Sequence, residues 1–384
     1  MKNYPRVITV DDDSYFLFGP RGTGKTIWLK THYPNAYFID LLDAATRLRF
    51  SANPQRLGDV VRANLSRRTF VVDEIQKVPQ LLDEVHRLIE SYPDVRFVLT
   101  GSSARKLRSA GVDLLGGRAM KRSMHPFMAC ELGADFSLDE ALRTGLVPVV
   151  GKYGNRERAL SAYLNLYMRE EIEQEGLVRN LDTFSRFLEA VSFSHGAVLS
   201  ATVVSQECAV KRTTVDGYLA ILKDLMLSGT LGVFPKHAKR KLIAHEKFYF
   251  FDAGVYRVIR PKGALDRPEE IAGAALEGLV YQHLSAWCDY SGFDKSLYYW
   301  RTANGDEVDF VVYTERAFVA IEVKHTARPN KADFAGLRLF GKDYPQARRI
   351  LLYRGQERRF EDDILVLPVD DFLMSLYPGK DFEI

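Results

Sequence analysis

The run Gly19-Pro20-Arg21-Gly22-Thr23-Gly24-Lys25-Thr26 sets three glycines, a lysine and a hydroxyl at the spacing that cradles phosphate groups. The glycines let backbone N–H groups turn inward around phosphate oxygens, and the N-terminus of a following helix adds a favourable dipole. In that pattern Lys25 reaches the β and γ phosphates and Thr26 holds Mg²⁺. All eight residues are candidate nucleotide contacts, with ATP and Mg²⁺ as the expected ligands. Phe70-Val71-Val72-Asp73-Glu74 supplies the other half of such a centre. Asp73, at the end of an apolar strand, can bind Mg²⁺ through its shell, while Glu74 orients and deprotonates the attacking water. Taken alone, acidic residues at a strand end are ordinary solvent-facing caps; the phosphate loop is what demands such a partner.

A second constellation lies toward the other end of the chain. Val308-Asp309-Phe310-Val311-Val312 is followed, after a turn, by Val319-Ala320-Ile321-Glu322-Val323-Lys324. Residues 322 and 324 are two apart in a strand, so both side chains leave the same face. Asp309 can join Glu322 to hold Mg²⁺ through hard oxygen ligands. Lys324 can then position or activate water beside a scissile phosphate, as metal-assisted phosphodiester hydrolysis requires.

These residues need a framework. Tyr15 to Phe18, Ala36 to Asp40, Thr69 to Asp73 and Val95 to Thr100 read as strands, with helices from Lys25 to His32 and through Leu81, Leu82, Val85, Leu88 and Ile89. Strand–helix alternation with apolar strands implies a parallel sheet covered on both faces. From 149 to 195 the apolar stripes Leu160, Tyr163, Leu164, Tyr167 and Phe184, Phe187, Leu188, Val191 indicate helices. Residues 198–251 make a compact unit: a helix capped by Ser200, a second opened by Lys211 to Thr214, then strand-like Gly229 to Phe234 and Phe248 to Phe251. Two short helices and a hairpin describe a winged helix-turn-helix. The remainder, with a helix carrying Ala275, Leu279, Val280 and Leu284 and strands near 297–301, 307–312, 318–323, 349–352 and 364–367, reads as a second α/β domain.

The 384 residues are 46% hydrophobic and 27% charged, proportions that exclude a disordered or fibrous protein. Fifty-three Lys and Arg against 50 Asp and Glu leave only +3, so the chain carries no global signature for nucleic acid, although local patches persist. Cys130, Cys208 and Cys288 form no metal or redox spacing, and the expectation is a reducing compartment. His125, His195 and His283 have no ligand spacing and read as local hydrogen-bonders or surface residues. The opening Met1 to Asp13 is polar and acidic, and no apolar stretch approaches the ~20 residues of a membrane helix. The expectation is a soluble, cytoplasmic protein with no membrane partner.

The first segment resembles the AAA+ class of P-loop ATPases. That resemblance makes Asp73 and Glu74 a Walker B pair and Thr100, in Leu99-Thr100-Gly101-Ser102-Ser103, the polar sensor of γ-phosphate or water. It makes Arg118 the arginine acting in trans on a neighbouring subunit, with Arg122 as competitor, and so implies a homo-oligomer. Arg169 stands as a lid-side sensor, followed by Glu170 where such sequences have Asp. The C-terminal strands resemble the PD-(D/E)xK nuclease superfamily, which includes Holliday-junction resolvases and restriction enzymes. Glu277 then matches the acidic residue that completes the site, with Glu307 in reserve.

Over nearly its full length the chain resembles a prokaryotic family of predicted ATPases. Thr100 to Ser103, Lys247 to Asp252 and Trp300 through Lys324 carry that likeness. The implied layout is an AAA+ core over 1–148, a helical lid over 149–195, a winged helix over 196–260 and a nuclease-like α/β domain over 261–384. Lys236, His237, Lys239, Arg240, Lys241, His245 and Lys247 crowd one loop of the winged segment, where clustered cations can contact phosphates. Lys211 and Arg212 can add contacts, although Asp216 and Asp224 lie in the same stretch. The expectation is ATP hydrolysis coupled to binding or processing of DNA or RNA. The alternatives are a nucleotide-dependent switch or scaffold whose inactive nuclease-like domain docks a protein, and a DNA-binding regulator with slow turnover.

Overall fold

A computed structural model of the chain describes residues 4–9, 12–102, 119–167, 172, 178, 180–235, 245–264, 266–293, 296–380 and 382. The fold divides into an N-terminal unit, Ile8–His125 with Asp224–Met226, and a larger unit, Met1–Val7 with Pro126–Lys223 and Leu227–Ile384.

In the N-terminal unit, β1 (Tyr15–Phe18), β2 (Tyr37–Asp40), β3 (Thr69–Asp73), β4 (Arg96–Gly101) and β5 (Met120–Ser123) form one sheet. Their order is β2-β3-β4-β1-β5 and every pairing is parallel. β1 and β3 are buried at every residue, the reason they read as unbroken apolar runs rather than alternating ones. Phe16, Phe18, Phe70, Val72, Phe97 and Leu99 share one buried cluster with Leu81, Leu82, Val85 and Leu88 of the helix Leu81–Ser91. Parallel pairing carries the C-terminal ends of all these strands to one edge, where ligands of open α/β sheets bind. The loop after β1, Asp73 at the end of β3 and Thr100 near the end of β4 therefore converge there. β5 has no counterpart in the sequence reading. Its Met-Lys-Arg-Ser run has no apolar pattern because it lies at the sheet edge, half exposed, beside β1 alone.

The larger unit holds two sheets. β6 (Ala197–Val198), β7 (Ser228–Leu231) and β8 (Lys247–Phe250) pair antiparallel in the order β6-β8-β7. They accompany the helices Ala201–Glu207 and Arg212–Asp224, and the Ser200 side chain caps the first by accepting from the Val203 N–H. The second sheet comprises β9 (Leu297–Arg301), β10 (Glu307–Tyr313), β11 (Phe318–Lys324), β12 (Arg348–Tyr353), β13 (Arg359–Glu361) and β14 (Ile364–Pro368). Its order is β13-β14-β12-β11-β10-β9, with β11, β12 and β14 mutually parallel and the other pairings antiparallel. The 23-residue helix Pro268–Tyr290 begins with Pro at its first position, where no helical N–H is needed, and buries Ala275, Leu279 and Leu284. Helices Arg156–Tyr167 and Leu181–Ser192 bury the stripes read from the sequence, Leu160, Tyr163, Tyr167 and Phe184, Phe187, Leu188, Val191.

Cys130, Cys208 and Cys288 are buried free thiols. Among the described residues no helix is long and apolar enough to cross a membrane.

His283 is fully buried in the long helix. Its Nε2 accepts the Ala129 N–H at 2.9 Å while Nδ1 lies 2.8 Å from the Leu279 carbonyl, an arrangement suited to a neutral ring with its proton on Nδ1. Burial pushes its pKa down to about 4. The unfolded chain therefore takes up this proton near the ordinary value of 6.5 and the folded chain only near 4, so His283 costs stability as pH falls through that window. His283→Gln keeps an acceptor for Ala129 and removes the titration. The stability advantage of wild type over this variant should shrink by about 1.4 kcal/mol per pH unit between those limits, measured by urea unfolding over a pH series.

Candidate functional site

At the sheet edge of the N-terminal unit, Gly22 and Gly24 hold φ of 83° and 93°, the left-handed region glycine enters without strain. Gly19 is required for another reason: a Cβ there would lie 2.5 Å from the Met124 carbonyl oxygen. Lys25 is buried, with Nζ donating to the carbonyls of Gly19 at 2.6 Å and Pro20 at 3.2 Å, so the ammonium lies over the loop's own backbone. Thr23 Oγ1 donates to Pro20 O at 2.9 Å and tightens the turn. Thr26 Oγ1 donates to Asp73 Oδ2 at 2.7 Å, and Thr100 Oγ1 donates to Asp73 Oδ1. The same Thr100 oxygen accepts the Glu74 N–H at 3.1 Å. Thr26, Asp73, Glu74 and Thr100, separated by up to 74 positions in sequence, thus form one hydrogen-bonded group.

Glu74 itself has φ 61° and ψ 47°, a left-handed conformation that is costly for a residue with a side chain. The inversion ends β3 and starts the short 3-10 turn Ile75–Lys77. Gln76 on that turn is a residue the sequence did not single out. Its Nε2 donates to Glu74 Oε2 at 2.5 Å and to Ser102 Oγ at 3.2 Å. A Cβ on Gly101 would come within 2.5 Å of Gln76 Oε1, so the glycine after Thr100 makes room for this amide. Arg122 lies on β5 with Leu17 as its register partner. Arg118, Arg169 and Glu170 fall outside the described residues, as do Lys236, His237, Lys239, Arg240 and Lys241.

In the larger unit, Glu277, Asp309, Glu322 and Lys324 come together. The register of Phe310 opposite Ile321 brings Asp309 beside β11, where its Oδ2 accepts the Val323 N–H at 2.9 Å. Lys324 Nζ donates to Glu322 Oε1 at 2.7 Å, placing both on one face. Glu322 Oε2 is buried with no hydrogen-bond partner among the described residues. At the centre stands Lys247, the first residue of β8. Its Nζ lies 3.0 Å from Glu277 Oε1 and 3.3 Å from Asp309 Oδ1 and pairs with Glu307 as well. The sequence placed Lys247 among the cations of a basic loop that can contact phosphates, but its side chain is only 2% exposed. Tyr249, two residues along the same strand, donates its hydroxyl to Glu277 Oε1 at 2.6 Å. Arg301 reaches Glu307 Oε2 at 3.2 Å from the other side.

Burial alone would lower the Lys247 pKa, but Glu277, Asp309 and Glu307 outweigh it and hold the ammonium charged well above its usual range. Burial, followed by Asp309, pushes Glu277 up to about 7 against the pull of Lys247. The same two causes raise Glu322 despite Lys324. Burial also opposes the charge on Lys324, and Glu322 and Asp309 reverse that and raise its pKa.

Residues 11–133 match the family model of an AAA domain. The N-terminal third is similar to AAA domains. Residues 135–265 match a domain of unknown function (DUF8612), and residues 272–372 match another (DUF4143). Uncharacterized proteins of Mycobacterium tuberculosis and Mycobacterium bovis are each 26% identical over 371 residues, covering 94% of this chain and 80% of theirs. Among solved structures, AMPPCP-bound DnaA from Aquifex aeolicus aligns over 55% of this chain and 82% of that one, at 14% identity and a TM-score of 0.26. The parallel sheet with flanking helices, together with the AAA match over 11–133, is that of a P-loop-type α/β core.

The carboxylate cluster makes a direct stability test. Lys247→Met leaves Glu277, Glu307 and Asp309 without their shared countercharge and should lower the unfolding free energy by about 3–5 kcal/mol. Lys324→Met, at a side chain 31% exposed, should cost clearly less. Urea unfolding followed by tryptophan fluorescence measures both, since Trp287 and Trp300 lie in the larger unit.

Proposed function

We propose that this chain binds and hydrolyses ATP at the edge of its parallel sheet. The observation that most supports the reading is the shared Asp73 carboxylate, which takes hydroxyl hydrogen bonds from both Thr26 and Thr100. A loop of Gly19 to Thr26, a strand-end carboxylate and a polar sensor from the intervening strand are the parts nucleotide hydrolysis needs. The oxygen donors of Thr26 and Asp73 suit Mg²⁺, which on binding with ATP would neutralise charge at the phosphates. Lys25 would exchange the Gly19 and Pro20 carbonyls for phosphate oxygens. Backbone N–H groups of the loop would cradle the phosphates, supported by the N-terminus of the helix Lys25–His32. Glu74 would hold and deprotonate the attacking water, with Gln76 fixing its carboxylate and Thr100 joining it to Asp73. Arg118 is the proposed arginine contributed across a subunit interface, which makes a homo-oligomer part of the reading.

The sequence run 196–260 is proposed as a winged helix, and 261–384 as a nuclease-like domain built around Glu277, Asp309, Glu322 and Lys324. Two helices beside a three-stranded antiparallel sheet support the first assignment, and the order of helix carboxylate, strand carboxylate and Glu-x-Lys supports the second. Together they favour contact with DNA or RNA. A second reading, a nucleotide-dependent switch whose C-terminal domain docks a protein, is favoured by the ion pairs that already engage the cluster's carboxylates.

Glu74→Gln should slow phosphate release at saturating ATP on the order of 10²-fold or more while leaving nucleotide affinity largely intact. Unchanged turnover would remove Glu74 from the mechanism, and unchanged ATP affinity in Lys25→Ala would remove the phosphate loop. Binding of duplex, single-stranded and branched DNA and of RNA should weaken steeply as salt is raised from 50 to 200 mM. Absence of salt-sensitive binding to any of them, with and without ATP, would leave the switch protein as the better reading.

A further inference from the structure

An ammonium group has three N–H donors, and the buried Nζ of Lys247 is surrounded by three carboxylates: Glu277 at 3.0 Å, Asp309 at 3.3 Å and Glu307 in contact. Each of these carboxylates also meets a second donor. Glu277 Oε1 accepts the Tyr249 hydroxyl, Asp309 Oδ2 accepts the Val323 N–H, and Glu307 Oε2 meets Arg301. Glu322, the fourth carboxylate, is paired with Lys324 through one oxygen. Mg²⁺ would need several of these oxygens at ~2.1 Å in octahedral array around the space that Nζ fills. Among the described residues no group of three or more His, Cys, Asp or Glu side chains is arranged to hold a metal ion. Donor types that suit Mg²⁺ are therefore present, but the arrangement does not fit it.

We propose that Lys247 is a built-in cation standing where a divalent metal would bind, and that it turns a nuclease-like carboxylate cluster into an electrostatic clamp. The clamp joins β8 to the helix Pro268–Tyr290 and to β10, adding to the backbone hydrogen bonds that link residues 232–234 to Tyr299 of β9. In this state the cluster is closed to Mg²⁺ and Mn²⁺ and does not hydrolyse phosphodiesters. The inference concerns the second site alone and holds whether or not the N-terminal unit hydrolyses ATP. It deepens the proposed nuclease-like assignment by making that domain one that docks rather than cuts.

The test is a titration of the full-length, nucleotide-free protein with Mn²⁺ alone, counting bound ion by the loss of the free-Mn²⁺ electron paramagnetic resonance signal. Wild type, Asp309→Asn and Glu277→Gln should give superimposable isotherms, because the cluster takes no metal to lose. Lys247→Ala, which removes the charge and empties the space that Nζ fills, should gain a Mn²⁺ site at least ~10-fold tighter than any in wild type, and adding Asp309→Asn should abolish it. A wild-type Mn²⁺ site that disappears in both Asp309→Asn and Glu277→Gln overturns the proposal. So does a Lys247→Ala protein with native circular dichroism that gains no metal affinity. Mn²⁺-dependent cleavage of single-stranded or branched DNA by wild type, lost in Asp309→Asn, would overturn it equally. Should Lys247→Ala fail to fold, the comparison of wild type with the two carboxylate variants and the cleavage assay still decide.

Discussion

A charged amine inside a protein is costly unless acceptors or opposite charge meet it, and Lys247 is met by Glu277, Glu307 and Asp309. Much of the larger unit's architecture follows from this requirement. The helix carrying Glu277 must run beside β8, β10 must present alternate residues 307 and 309 to the same side, and β11 must lie where its Val323 N–H can reach Asp309. Each carboxylate would be costly to bury alone, and Glu277 shows the strain of partial compensation in a pKa near neutrality. The cluster hinges on its ammonium, because removing it leaves three carboxylates short of countercharge in a poorly solvated place.

The N-terminal unit solves a different problem with a milder interaction. Its functional groups arrive on separate strands, and parallel pairing aligns their ends before any side chain makes a bond. The hydroxyls of Thr26 and Thr100 then share Asp73, and Gln76 ties Glu74 to Ser102. Neutral hydroxyls, rather than a cation, hold the carboxylate of Asp73 in place.

Strands with two buried faces announce themselves, so β1, β3 and β4 and the helix Leu81–Ser91 were legible from apolar runs and helical spacing. β5 was not, because an edge strand of Met, Lys, Arg and Ser lacks the apolar face that periodicity detects. Asp309, Glu322 and Lys324 could be picked out because charged residues interrupt otherwise apolar strands, whereas Glu277 came only from the nuclease resemblance. Lys247 was misread for the complementary reason. The cations Lys236 to Lys241 lie a few positions earlier, so the residue passed for one more phosphate-contacting member of that loop, while the buried strand Lys247–Phe250 begins at Lys247 itself. Gln76 carries no local signal at all; its role arises from the turn after β3 lying against the Thr100-Gly101-Ser102 segment.

The left-handed backbone at Glu74 restricts what that position can become. The proposed hydrolysis asks for a carboxylate there, while a φ of 61° disfavours any side chain branched at Cβ. Valine, isoleucine and threonine are therefore poor occupants on backbone grounds before reactivity is considered. The short, unbranched asparagine and aspartate tolerate the conformation better but hold their polar groups one methylene nearer the chain. Variation at residue 74 is thus confined by two unrelated demands, one from the proposed activation of water and one from the way β3 comes to its end.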